Sequence, residues 1–196
     1  MWTTSWQWCR IDMIPKDNIY TYSGVSFAPL SPRAEDIAPI DIAHALSLMC
    51  RANGHFKRFY SVGQHCLACE NEARARGLSE RVRLGCLLHD ASEAYLSDIT
   101  RPVKRGLLEY QKAEKRLQDT IYRRFGLDPD DGELMRQIAE IDDAMLYFEF
   151  LELGGLALFE TAPYVAEMPV FSSEAFERTE EQYLQRLAEL YSPEDF

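Results

Sequence analysis

Four histidines stand in the 196-residue chain: His44, His55, His65 and His89. His89 follows Cys86-Leu87-Leu88 and is itself followed by Asp90. An imidazole and a carboxylate inside a leucine-rich helix are costly to bury unless something pairs with both. A divalent cation does so, because imidazole nitrogen and carboxylate oxygen are donors that suit Zn, Mn, Fe or Co. Glu93 comes four residues after His89 and three after Asp90, on the same face of a continuous helix. A carboxylate beside a metal-bound water serves as general base or acid. Asp98 follows in Ser97-Asp98-Ile99-Thr100. A set of two histidines and two aspartates needs one more carboxylate. The pair Asp142-Asp143, between Ile141 and Ala144-Met145-Leu146, offers it in an apolar stretch without saying which of the two it is.

Taken singly, these residues carry little. A lone histidine on a helix is more often a hydrogen-bonded core or surface group, which is the reading for His44, and a His-Asp dipeptide arises often by chance. A histidine, then His-Asp 24 residues later, then Glu and Asp, then an aspartate in an apolar run is a far rarer combination. Cys66-Leu67-Ala68-Cys69 has the spacing of a redox or zinc pair. With no second pair and a helical context it reads as packing, Cys69 sharing a face with His65. Basic residues flank the acidic set: Lys57-Arg58 before it, and Arg101, Lys104 and Arg105 after Asp98. Such groups suit phosphate oxygens, although Arg105 reads as ordinary solvated charge.

Helices must position these residues. Apolar periodicity and capping signals predict helices over residues 40–51, with Asp41 as N-cap, and 61–76, opened by the capping box Ser61-Val62-Gly63-Gln64 and closed by Gly77. A third opens near Ser79 and carries Val82, Leu84, Cys86, Leu87, Leu88 and Ala91. Others are expected over 108–125, 133–153 and 174–191, with Pro102, Gly126 and Gly154-Gly155 as breaks. The first 36 residues hold only a short hairpin, around Ser23-Gly24. This pattern predicts a single all-α domain over residues 1–196: a helical bundle with core 37–153, an N-terminal arm 1–36 and a C-terminal loop and helix 154–196.

A net charge of −11 argues against broad binding to DNA or RNA, which needs many basic contacts. No apolar run approaches the roughly 18 residues that span a bilayer. The tryptophan-rich start, Met1-Trp2-Thr3-Thr4-Ser5-Trp6, has neither the basic residues nor the apolar stretch of a signal peptide, and the five cysteines are an odd number. The expectation is a cytoplasmic protein with reduced thiols and no membrane partner. Apolar helical faces near the C-terminus leave room for a homodimer.

The pattern His65 … His89-Asp90 … Asp142 resembles the HD domain of metal-dependent phosphohydrolases, above all small bacterial 5′-deoxynucleotidases and phage deoxynucleoside triphosphohydrolases. The stretches that carry the resemblance are Arg58-Phe59-Tyr60-Ser61-Val62-Gly63-Gln64-His65 and Leu88-His89-Asp90-Ala91-Ser92-Glu93-Ala94-Tyr95-Leu96-Ser97-Asp98-Ile99-Thr100-Arg101-Pro102-Val103-Lys104, within residues 37–153. It implies an all-α bundle around one divalent ion, which the sequence does not narrow beyond Mn, Co, Zn, Fe or Mg. It implies His65, His89, Asp90 and an aspartate of the 133–153 helix as ligands. Asp143-Ala144-Met145 looks locally like one form of the family motif, but Asp142 is better spaced from Tyr147, Glu149 and Glu152 and is the choice here. The resemblance further implies Glu93 orienting or activating water, Asp98 assisting, and Arg58 and Lys104 holding the phosphate of a small nucleotide. Release of phosphate from a 5′-monophosphate is the expected reaction. Release of whole triphosphate is the alternative, and a catalytically silent nucleotide-binding or regulatory module is the alternative of another kind.

Overall fold

In the computed structural model, which describes residues 15–192, the chain enters through the expected hairpin. Strand β1 (Ile19–Tyr20) pairs antiparallel with β2 (Ser26–Phe27), Ile19 opposite Phe27. Gly24 closes the turn at φ +89°, a conformation that suits glycine. The tryptophan-rich start and the last four residues lie outside the described residues.

Helix α1 (Pro39–Leu48) begins with proline in its first turn, where the missing N–H is no loss. Asp41 is not its N-cap, which is Ala38. The Asp41 carboxylate is buried and accepts from the Ser23 backbone N–H at 2.6 Å and its hydroxyl at 2.8 Å, so it ties the hairpin to the helix. The helix also stops short of residue 51, and a separate turn covers Arg51–Gly54, with Ala52 and Asn53 both at φ +51°. Helix α2 (Val62–Ala75) opens with the expected reciprocal capping box between Ser61 and Gln64. Helix α3 (Glu80–Leu88) ends earlier than expected and is followed by two short helices, α4 (Glu93–Leu96) and α5 (Arg101–Lys104). Helix α6 (Leu108–Arg124) precedes α7 (Gly132–Glu149), whose N-terminal N–H at Leu134 is capped by Asp131. The expected 133–153 helix is α-helical only to Glu149, and a π turn covers Phe150–Gly154. Residues 155–175 form no helix or strand before α8 (Phe176–Leu190).

The described residues form one all-α helical domain with that single hairpin. Its core takes fully buried side chains from six helices, among them Leu46, Cys66, Leu87, Leu88, Leu117, Ile121, Ile141, Met145 and Tyr183. Each buried leucine or isoleucine contributes about 1.5–3 kcal/mol relative to exposure. Gly85 lets α3 approach α7 closely, since a methyl group there would run into Ile138. Buried Glu70 accepts from Arg83 at 2.8 Å and from Arg186, joining α2, α3 and α8. No helix among the described residues is long and apolar enough to cross a membrane.

Candidate metal centre and its cavity

The end of α3 is where the fold departs from a regular helix, and it departs at His89. The N–H of Ala91 bonds to Leu88 O and that of Glu93 to Asp90 O, three residues back in each case, so the chain tightens into turns. Gln118 of α6 substitutes for the lost ladder. Its amide accepts from Ser92 N at 3.0 Å and donates to Leu88 O at 2.8 Å. The single continuous helix expected through Ala91 is therefore broken, and Asp90 is turned toward α2 and α7.

His65, fully buried on α2, meets His89 with Nε2 facing Nε2 at 3.0 Å. Asp142 of α7 brings Oδ1 to 3.2 Å from His65 Nε2 and 3.7 Å from His89 Nε2. Asp90 brings Oδ2 to 3.3 Å from His89 Nε2 and 3.7 Å from His65 Nε2. Asp143 points elsewhere: half exposed, it meets Arg101 Nη1 at 2.8 Å, while Arg101 Nη2 holds the outer oxygen of Asp142 at 2.7 Å.

Hydrogen-bond chemistry fixes the tautomers. His89 Nδ1 lies 2.8 Å from the backbone carbonyl of Cys86, which can only accept. His65 Nδ1 lies 2.5 Å from Glu149 Oε1, a carboxylate. Both Nδ1 atoms therefore carry hydrogen, and the neutral rings turn bare Nε2 lone pairs toward each other and toward two carboxylates. Four acceptors converge with no donor among them. Either protons or a cation must fill the gap. Donors about 2.0–2.2 Å from one ion stand about 2.8–3.6 Å apart in octahedral or tetrahedral arrangement, which the observed separations approach.

The charge balance agrees. Burial works against ionisation at His89, yet Asp90 and Asp142 hold it well above its ordinary value. Burial and Arg51 press on His65 too, and Glu149 and Asp142 outweigh them. Burial opposes the charged form of Asp142, but hydrogen bonds from His65 and His89 hold it well below the usual carboxylate range. Asp90 is lowered likewise, burial being overcome by His89 and then Arg51.

Two thiols border the same imidazoles, and the groups His65–Cys69–His89 and Cys66–His89–Asp90 have donor atoms close enough to hold a metal ion. Cys69 Sγ lies 3.6 Å from His65 Nε2 and 4.0 Å from Nδ1, over the ring rather than along its lone pair. Burial raises both thiols, so they stay protonated beside ionised carboxylates.

A cavity of about 470 Å³ opens on Asp90 and Asp142. Arg51, Glu93, Asp98, Arg101 and Lys104 supply its polar wall, and Phe56, Leu146, Phe150, Leu158 and Phe159 its apolar wall. A larger groove of about 590 Å³ along α2 and residues 167–170 shares no lining residue with this one. Glu93 is buried with Oε2 unpartnered, and burial, then Asp90 and Asp98, raise its carboxyl well above the ordinary value. Asp98 is also raised, by burial against the pull of Arg51. Two backbone outliers aim this wall: Ala52 beside Arg51 at φ +51° and Ser97 beside Asp98 at φ +76°.

Lys104 reaches the cavity edge while its Nζ donates to Glu114 at 2.5 Å. Arg58 does not line the cavity. Its guanidinium donates to Phe171 O at 2.7 Å and pairs with Glu152 at 3.4 Å, because the chain entering α2 directs it onto the 171–173 segment. Arg51 carries no sequence signal, and Glu149 enters the sequence only through its spacing from Asp142, with no role attached. Arg51 donates to Asp90 Oδ2 and to Glu149 Oε2, each at 3.3 Å. Both lie beyond the motif stretches: the packing of α7 on α2 brings in Glu149, and the turn before α2 brings in Arg51.

No family model matches the chain. It is similar to YfdR of Escherichia coli (strain K12), an uncharacterized protein, with 38% identity over 136 residues, which cover 69% of this chain and 72% of that protein. An uncharacterized protein of Rhodobacter capsulatus is 42% identical over 110 residues, 54% of this chain and 56% of its own length.

Proposed function

The chain belongs to the YfdR family, and we propose that it is a metal-dependent phosphohydrolase of the HD type, cleaving the phosphate ester of a nucleotide 5′-monophosphate. The observation that carries the reading is the convergence of two imidazole nitrogens and two carboxylate oxygens beside a cavity that Asp90 and Asp142 line, with one polar and one apolar wall. In it His65, His89, Asp90 and Asp142 hold one divalent ion. When bound, that ion supplies Lewis acidity and positive charge for a phosphate oxygen.

The chain's own residues do the rest. Glu93, buried and lining the cavity, takes a proton from the attacking water, and burial beside Asp90 and Asp98 makes its carboxylate a stronger base than a free one. Water adds to phosphorus, the ester P–O bond breaks, and the proton passes to the departing nucleoside oxygen. Asp98, on the same polar wall, helps orient the water. Arg51 and Lys104 face the phosphate as cations, Arg51 in the role expected of Arg58. Phe56, Phe150 and Phe159 offer an apolar surface against which a base stacks.

The cations lining the cavity favour a monophosphate over a triphosphate. Arg51, Arg101 and Lys104 are each already in an ion pair with a carboxylate, which leaves little positive charge for a long polyanion. Free thiols beside the centre suit a reducing compartment and fit work in the cytoplasm. The test is a panel of ribo- and deoxynucleoside mono- and triphosphates with Mn, Co, Zn and Mg, with products separated. Phosphate from monophosphates is expected. Intact triphosphate released from triphosphates would replace this reaction with the other, and no product with any ion would sink the enzyme reading.

A further inference from the structure

The two histidines of the centre are held by unlike acceptors. His89 Nδ1 donates to a neutral carbonyl, that of Cys86. His65 Nδ1 donates to the Glu149 carboxylate at 2.5 Å, with both side chains at 0% exposure. Glu149 does not stop there. Its other oxygen accepts from Arg51 Nη2 at 3.3 Å and Nε at 3.4 Å, and Arg51 Nη1 donates to Asp90 Oδ2 at 3.3 Å. Asp90 Oδ2 in turn lies 3.7 Å from His65 Nε2, so Asp90, Arg51, Glu149 and His65 close a ring. Asp142 has a looser support, since Arg101, which holds its outer oxygen, is 52% exposed.

We propose that Glu149 is the positioning residue of the metal centre, making His65 and Asp90 its fixed half and Asp142 its adjustable half. This rests on the metal reading above. A carboxylate at Nδ1 fixes the tautomer and ring orientation of a ligating histidine and makes its free nitrogen more basic than a carbonyl does. Through Arg51 the same carboxylate also sets the angle of Asp90. Glu149 sits at the last residue of α7, where the backbone passes into the π turn, and that change of helix type aims it inward at α2.

The experiment is calorimetric titration of Mn²⁺ and Zn²⁺ into chelator-treated full-length protein, with the visible spectrum of the Co²⁺ form as second readout. Glu149→Gln keeps the shape and removes the charge. It should weaken ion binding about 10–100-fold and alter the Co²⁺ spectrum. Arg101→Gln should weaken binding at most about 5-fold, the ceiling for an exposed ion pair. If Glu149→Gln fails to fold, Glu149→Gln with Arg51→Gln removes both buried charges together and carries the same expectation. Wild-type affinity and spectrum in the folded Glu149 variant would overturn the proposal, as would an Arg101 variant weakened as much as the Glu149 one. A wild-type protein that takes up no ion would instead overturn the reading of the centre itself.

Discussion

His44 and the pair His65–His89 are the same residue type on neighbouring helices, yet they sit in opposite chemical situations. His44 stacks on Tyr22 with ring centroids 3.7 Å apart and gives Nδ1 to Glu180 at 2.9 Å. One imidazole meets one carboxylate and two aromatic rings, Tyr22 face-on and Phe176 edge-on, and nothing further is required. That cluster fastens the hairpin and α8 to α1. At His65 and His89, each Nδ1 is already engaged, and two Nε2 atoms and two carboxylate oxygens point into a common space. The difference teaches that residue types alone do not make a centre. An excess of convergent acceptors over donors does.

Breaking the acceptor set should have the largest effect. Asp142→Asn or His89→Ala should lose the ion and lower turnover more than about 10³-fold, since the ion's charge stabilisation is worth several kcal/mol. Asp143→Asn, one residue away, should keep both, and elemental analysis alongside product assay reads the contrast. Glu93→Gln should separate binding from chemistry: metal content unchanged, kcat lower by about 10²–10³-fold. Metal loss in that variant would move Glu93 into the ligand set.

Protons compete with the ion, and this sharpens the comparison by pH. The folded His65 and His89 values are raised, so proton binding stabilises chelator-treated protein fully below about pH 6.5, the unfolded value. That gain is lost as pH rises through the folded values. Melting temperature without ion should therefore fall as pH rises above about 6.5. Mn²⁺ or Zn²⁺ at 100 times its Kd should restore about 2.7 kcal/mol at the alkaline end. A flat profile would mean the imidazoles gain no proton on folding. The smallest effect belongs to the other cluster. His44→Gln should cost about 0.5–1.5 kcal/mol through the lost ring stacking, read by denaturant melts, and leave ion uptake untouched. Loss of the ion in that variant would collapse the distinction.

Much of this was legible from spacing. His65, Asp90 and Glu93 lie on or beside strongly patterned helices, and the capping box at Ser61 fixes where α2 starts. The all-α fold with its hairpin follows from apolar period and turn residues. Asp142 and Asp143 show what periodicity leaves open: neighbours about 100° apart on one helix differ only once α3 packs on α7. Gln118, Arg51 and Glu149 act through contacts between elements distant in sequence, so no local pattern announces them. Arg58 adjoins the motif in sequence but not the cavity in space, because its guanidinium is held by Phe171 O. The break at His89 was missed for a similar reason, since the groups that replace its helical bonds come from α6.

Ala52 and Ser97 hold left-handed backbone angles that side chains with a Cβ disfavour, at a cost of order 1–3 kcal/mol each. Both stand beside polar residues of the cavity wall. The molecule is thus not at its stability optimum, and its surplus lies where engineering is most tempting. Glycine at Ser97 relieves the strain at that position, but it also frees the backbone that aims Asp98. A screen for thermal resilience would select such a change, and a screen for turnover would discard it.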